Sequence, residues 1–177
     1  MGIERVTSAV VDAGPIIHLA EIGCLHLLAI FEVLHIPDAV WAETVGMKRV
    51  TETILSATGN IQRHHLPQLQ VEQFIRANGL DALQSGEKEC LCLCQQSSVS
   101  LLLTDDLAVR EAAKRISITP VGSLGVVIRS YRTGRLSLAD AEQHLTALYE
   151  VSSLFVTRAI VETAIAQVRA VNKTESS

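Results

Sequence analysis

Val6-Thr7-Ser8-Ala9-Val10-Val11-Asp12-Ala13-Gly14-Pro15 is a short β-branched, apolar run that breaks on an acid and a turn. Val6 to Val11 reads as a buried strand, because a continuous apolar run of this length suits a strand covered on both faces. Asp12-Ala13-Gly14-Pro15 turns the chain, and the fixed φ of Pro15 suits the first position of a helix. Ile16, Ile17, Leu19 and Ala20 continue that helix as far as Gly23. A strand that ends on an acid and passes at once into a helix is the opening of a βαβ unit.

The same alternation recurs outward from this stretch. A helix over Leu25 to Phe31 leads to a strand at Val33 to Ile36, and Pro37 opens a helix carrying Val40, Trp41 and Val45 that stops at Gly46. Thr51 to Ala57 is a weaker helix. Gly59 to Leu66 is polar, with room for a short strand, and Val71 to Ala77 is helical up to Asn78-Gly79. Ser85-Gly86 precedes a helix from Glu87 to Gln96. Val99 to Leu103 is the clearest strand; Thr104-Asp105-Asp106 and a helix from Leu107 to Arg115 follow it. Ile116 to Thr119 is a brief strand ahead of Pro120, and Val121 to Gly125 leads into a helix ending at Tyr131. Helices over Leu138 to Glu150 and Ser153 to Val171 close the chain. This order predicts an α/β fold of three layers, a central parallel sheet of four to five strands with helices on both faces. Residues 1–171 read as one domain with C-terminal helices and 172–177 as a polar tail; no internal repeat or linker interrupts them.

Hydrophobic residues make up 48% of the 177 and charged ones 19%. That leaves ample apolar surface to offset the entropy of ordering, which excludes a disordered or fibrous chain. Apolar runs such as Leu101 to Leu103 fall far short of the roughly 18 residues that cross a bilayer. The first residues, with Glu4 and Arg5, hold no signal-peptide core, so the expectation is a cytoplasmic protein with no membrane partner. Lys plus Arg number 15 against 19 Asp plus Glu, a net charge of −4, and aromatics are only 3%. Such a chain grips phosphate backbones poorly without a local basic patch or a bound metal, and it lacks stacking platforms.

Right-handed crossovers place every strand's C-terminal end on one edge of a parallel sheet, where ligand sites lie. Asp12 ends the first strand, and Asp105 with Asp106 ends the fourth. Glu43 lies on the helix after the second strand. Glu87 and Glu89 open the helix before the fourth strand, and because they are about 200° apart around it, one faces the site and the other mostly away. Taken singly, each acid has an ordinary explanation as a helix cap, a dipole partner or a solvated surface group. Taken together, acids from four segments converge on one edge, and such a cluster is tolerable only when a cation neutralises it. Oxygen ligands without a neighbouring His suit Mg²⁺ or Mn²⁺, and the reaction class such parts serve is hydrolysis of a phosphodiester.

Val10-Val-Asp12-Ala-Gly-Pro-Ile-Ile, Ile36-Pro-Asp-Ala-Val-Trp-Ala-Glu43, Ser85-Gly-Glu87-Lys-Glu89-Cys and Leu103-Thr-Asp105-Asp106-Leu-Ala-Val-Arg resemble, in order, the motifs of the PIN domain. Val121 to Arg129 and Thr133-Gly-Arg-Leu are similar to a toxin-like, VapC-like PIN subgroup of bacteria and archaea. The match spans Val6 to about Leu136. It implies a PIN-like fold and a Mg²⁺- or Mn²⁺-dependent ribonuclease. It also implies an RNA substrate, a small antitoxin partner in a toxin–antitoxin pair, and a homodimer. By position, Asp12, Glu43 and the Asp105/Asp106 pair match the family's metal-binding acids. Both Glu87 and Glu89 are candidates for the third acid, with Glu87 favoured as nearer the helix N-terminus. The pattern Thr, any residue, Asp favours Asp106 with Asp105 assisting, and Thr104 matches a hydroxyl that helps hold the acids.

Other residues carry less. Cys24 and the run Cys90-Leu-Cys92-Leu-Cys94 have neither redox nor zinc spacing and read as small core residues. His18, His26, His35, His64, His65 and His144 show no ligand spacing. Arg129 and Arg132 share a helix face and, with Lys114, are the candidate RNA contacts; Arg115 and Arg135 add charge nearby. Trp41 reads as a core or interface anchor. The apolar stretch Phe155 to Val168 is expected to pack on the sheet, with a dimer or partner contact as the sharper reading. The leading function is thus a metal-dependent endoribonuclease using Asp12, Glu43, Glu87 and Asp106. The alternative is a catalytically weak or inactive PIN-like module that binds nucleic acid or protein, kept open by the acidic net charge. A phosphate-transfer receiver domain also gathers acids at strand ends, but it expects a Lys on a later strand, and Ile116 to Pro120 has none.

Overall fold

Ala9, Val10, Val11, Leu34, Ile36, Leu102 and Leu103 have no exposed surface, the mark of strands covered on both faces. The computed structural model describes residues 8–175, so Val6 and Thr7 of the expected first strand, Glu4, Arg5 and the end of the expected polar tail (Ser176 and Ser177) lie outside the described residues. The strands are β1 (Ser8–Val11), β2 (Val33–Pro37), β3 (Ile61–His64), β4 (Leu101–Leu103) and β5 (Thr119–Val121). All pairings are parallel, in the order β3-β2-β1-β4-β5. Val10 stands opposite His35 on one side and Leu102 on the other, so β1 is the central strand.

The helices are α1 (Ala13–Glu21), α2 (Asp38–Trp41), α3 (Glu52–Ser56), α4 (Gln68–Asn78), α5 (Ser85–Gln96), α6 (Leu107–Arg115), α7 (Ser123–Arg132), α8 (Leu138–Glu150) and α9 (Arg158–Glu175). Helix α5 covers β1, β2 and β4 on one face of the sheet. Its Cys90, Cys92 and Cys94 are buried, as small core residues should be. Helices α1 and α7 pack together on the opposite face, where right-handed crossovers put α1. The chain winds from β1 to β2 and β3 in one direction, then crosses back to β4 and β5. The switch point therefore falls at the C-terminal ends of β1 and β4, the crevice where open α/β sheets take ligands. Among the described residues no helix is long and apolar enough to cross a membrane.

Four local readings are corrected. Leu25–Ile30 is a 3-10 helix, a short connector wound more tightly than the expected α-helix. The helix expected from Pro37 to Gly46 is α2 continued by a wide π turn over Ala42–Gly46. Strand β5 begins at Thr119 and contains Pro120, although the sequence predicts a strand over Ile116 to Thr119 that stops ahead of it. Thr119 N donates to Ser100 O and Val121 O accepts from Thr104 N, so Pro120 faces out from the edge, where a missing N–H costs no ladder bond. The last helix starts at Arg158, not Ser153, because the Glu21 carboxylate takes Ser153 N at 2.7 Å and Ser153 Oγ at 2.9 Å and holds that segment out of a helix. It runs to Glu175, past the expected start of the tail, and packs on α7 and α8 rather than the sheet. Arg169 clamps it to Glu142 with bonds of 2.6 and 3.0 Å.

Candidate functional site

Asp12 follows β1 directly and is fixed there by its own N–H, which donates to Leu103 O at 2.9 Å. The residue is 7% exposed. Oδ1 accepts from Ala13 N at 2.8 Å, capping α1, and Oδ2 accepts from Thr104 Oγ1 at 2.9 Å. Burial is the main cause that pushes its pKa from 3.8 up to about 6; the two hydrogen bonds oppose the shift, and the charges of Glu87 and Glu43 add to it. Thr104 is wholly buried, and its hydroxyl also accepts from Asp106 N at 3.3 Å, so one side chain ties the end of β1 to the turn after β4.

Glu87 stands in the first turn of α5, where Gln84 N donates to its Oε2 at 2.8 Å in a capping box. Burial raises its pKa, and Asp106 and Glu43 raise it further. Glu43 sits in the π turn after α2, an irregularity frequent at functional sites. Its Oε2 lies 3.4 Å from where a Cβ on Gly86 would be, so it faces the start of α5. Asp106 caps α6, accepting from Val109 N at 3.0 Å. Asp12, Glu43, Glu87 and Asp106 thus share one electrostatic field at the switch point.

Other expected site residues are placed elsewhere. Glu89 turns away and accepts from Ala39 N at 3.0 Å, holding the first turn of α2. The 200° of helix between it and Glu87 is the reason. Glu89→Ala is expected to cost about 1 kcal/mol in chemical denaturation, the value of a lost helix cap, and to leave Mn²⁺ affinity unchanged in calorimetry. Asp105 points to α7, where Oδ1 accepts from Ser123 N at 2.7 Å and Oδ2 from Ser123 Oγ at 2.6 Å and His18 Nδ1 at 2.7 Å. Lys114 lies at the far end of α6 in an exposed pair with Glu111 at 3.0 Å, a helix length from Asp106. Trp41 is partly buried under the Arg63 guanidinium, 5.1 Å from the ring centroid.

Among the described residues, no three His, Cys, Asp or Glu side chains stand close enough together to hold a metal ion. Asp12, Glu87 and Asp106 are each engaged in capping a helix. The donor chemistry nonetheless suits a hard divalent cation: the groups are all carboxylates, from four segments, and the charges of their neighbours add to the raised pKa values of Asp12 and Glu87.

Sequence reasoning missed His18, Ser123 and Arg110. Ser123 had a signal, since a Ser opening a helix straight after a strand and Gly is placed to hold an anchor. Arg110 lies one helical turn after Asp106, and its Nη1 donates to Thr104 O at 3.2 Å, which fastens α6 to the end of β4. His18 had no signal, because its partner lies 87 residues away. Arg129 and Arg132 line a separate open groove of about 1360 Å³ that reaches Asp105 but none of Asp12, Glu43, Glu87 or Asp106.

A family model described as "DUF3368: PIN domain" matches residues 8–170, nearly all of the described chain. No curated protein and no solved structure matched the chain.

Proposed function

The chain belongs to the PIN-domain family, and from that premise we propose that it is a Mg²⁺- or Mn²⁺-dependent endoribonuclease whose working acids are Asp12, Glu43, Glu87 and Asp106. PIN domains are typically nucleases, and this fold is of the nuclease type. The observation that carries the reading is Asp12: an acid 7% exposed, at the switch point, its pKa pushed to about 6 by burial and by the charges of two further acids. A fold tolerates such a group when function needs its charge.

Asp12, Glu43, Glu87 and Asp106 are the residues that would hold the ion. A bound Mg²⁺ or Mn²⁺ supplies neutralisation of the phosphoryl oxygens and acidification of water. Thr104 orients Asp12 by donating to Oδ2, so that its charge stays aimed at the crevice. The test is calorimetric titration with Mn²⁺ alongside cleavage of a labelled RNA with Mn²⁺ and with chelator. Saturable binding and chelator-sensitive cleavage support the reading. Neither binding nor cleavage moves it to a non-catalytic PIN-like binding module, which the capping roles of the acids and their separation favour.

The likeness of Val121 to Arg129 and of Thr133 to Leu136 to the toxin-like subgroup supports a finer reading. In it the chain is the cytoplasmic toxin of a toxin–antitoxin pair, working as a homodimer and silenced by a small antitoxin. Its expression in a bacterial host is then expected to slow growth, measured by optical density, with relief when a short neighbouring reading frame is co-expressed. Unimpaired growth by an RNA-cleaving protein removes the toxin reading and leaves the nuclease one.

A further inference from the structure

The groove of about 1360 Å³ between α7, α9 and the non-helical segment at 151–157 has a chemistry unlike that of the acidic pocket. Arg110, Arg129, Arg132 and Arg135 line it, against the acids Asp105 and Glu32. Asp105 is already engaged by Ser123 and His18. Among the described residues, no ion pair holds Arg129, Arg132 or Arg135. In a protein of net charge −4, this is a concentrated positive surface, four arginines against two acids.

Between the arginines the walls are apolar. Leu124 and Ile128 form an i,i+4 ridge on α7, and Ile160 and Ala164 form another on α9. Phe155 is 100% exposed, Leu107 78% and Ile160 51%, a row of large apolar side chains left in water around one concavity. Phe155 is presented from a backbone anchored by Glu21 at Ser153. A surface built to hold RNA alone would favour stacking aromatics over aliphatic ridges, and Phe155 is the one aromatic side chain of the lining that stands exposed.

The sheet edge narrows the choice further. Pro120 faces outward from β5 and offers no N–H, so an added strand would find no donor at the centre of this edge. A helix satisfies its own backbone and needs only ridges to pack against. We propose that this groove docks an amphipathic helix from a partner protein, its apolar face seated on the α7 and α9 ridges and its acidic flanks paired with Arg129, Arg132 and Arg135. The inference holds whether or not the acidic pocket cuts RNA.

The test is selection, on the full chain, from a displayed library of short helical peptides with a fixed leucine stripe and Glu or Lys at every flanking position. Glu-flanked clones are expected to win. Their affinity in fluorescence anisotropy should fall about tenfold or more with Arg132→Glu/Arg135→Glu, both exposed positions, and by a similar factor with Phe155→Ser. Amide exchange should slow across 154–167 on binding. No enrichment over an unrelated control protein, a win for Lys-flanked clones, or indifference to the charge reversal would each overturn it. So would a single-stranded oligouridine held by the same arginines when no peptide is enriched, because the groove would then be a nucleic-acid surface.

Discussion

Asp12→Asn is expected to lower metal-dependent RNA cleavage on the order of 10³-fold or more while making the metal-free protein more stable at pH 7. The two effects share one cause. The pKa of Asp12 is about 6 in the folded chain against an ordinary 3.8, so the folded state prefers the protonated acid. The stability this group contributes is full below 3.8 and is lost as the pH rises through about 6. By pH 7 the loss amounts to about 3 kcal/mol, at 1.36 kcal/mol for each unit. Asn is neutral and of the same shape. Its amide oxygen can still accept from Ala13 N, and its NH₂ can donate to Thr104 Oγ1, which keeps the two contacts of the carboxylate. Some of the gain is offset because a hydrogen bond to a charged group is stronger than one to an amide, leaving a net stabilisation of about 1–2 kcal/mol. Denaturant titrations of both proteins at pH 5 and pH 7 with chelator measure it, and the difference should shrink at pH 5. Added Mn²⁺ should reverse the order, since an ion at a hundredfold its Kd stabilises by about 2.7 kcal/mol and the variant has lost a ligand. A variant that cleaves like the wild type would remove Asp12 from the mechanism; one that is less stable at pH 7 would show that the carboxylate is compensated within the fold.

This trade also explains what could be read from the residues alone. The placement of Asp12 was legible because it needs only local information: a β-branched run, an acid, and a Gly-Pro turn into a helix. Four to five parallel strands followed from the same alternation, and the start of α6 could be set from its cap, Asp106. What could not be read depends on contacts between distant segments. Helix α9 starts late because Glu21, more than a hundred residues earlier, captures Ser153. Pro120 belongs to a strand because β5 lies at the sheet edge, a fact of strand order rather than of propensity. The aiming of Glu43 depends on the π turn, and no side-chain pattern announces one extra residue in a helical turn. The acidic pair was the hardest case, since adjacent carboxylates look alike until the backbone sends one into the crevice and the other to α7.

That division sets the last expectation. Asp105→Ala should cost about 3–5 kcal/mol in denaturant unfolding, whereas Asp106→Asn should stay within about 0.5 kcal/mol of the wild type and lose cleavage by about 10²-fold. Asp105 is the single acceptor for Ser123 N, Ser123 Oγ and His18 Nδ1, at 2.7, 2.6 and 2.7 Å. Ser123 is fully buried, so removing the carboxylate strands its N–H and hydroxyl away from water and detaches the start of α7 from α1. The close fit of Gly122 marks how tightly this joint is built: a Cβ there would come within 2.7 Å of Asp105 Oδ1. Asp106 is exposed, and Asn caps a helix as well as Asp does, so Val109 N keeps its acceptor. What that substitution removes is a negative charge felt by Glu87, and with it part of the field that would draw a cation to the crevice. Unfolding curves and cleavage rates measured on the same two variants separate the roles. Loss of activity in a stably folded Asp105 variant, with Asp106→Asn fully active, would exchange the two assignments and place the catalytic charge on the α7 side of the turn.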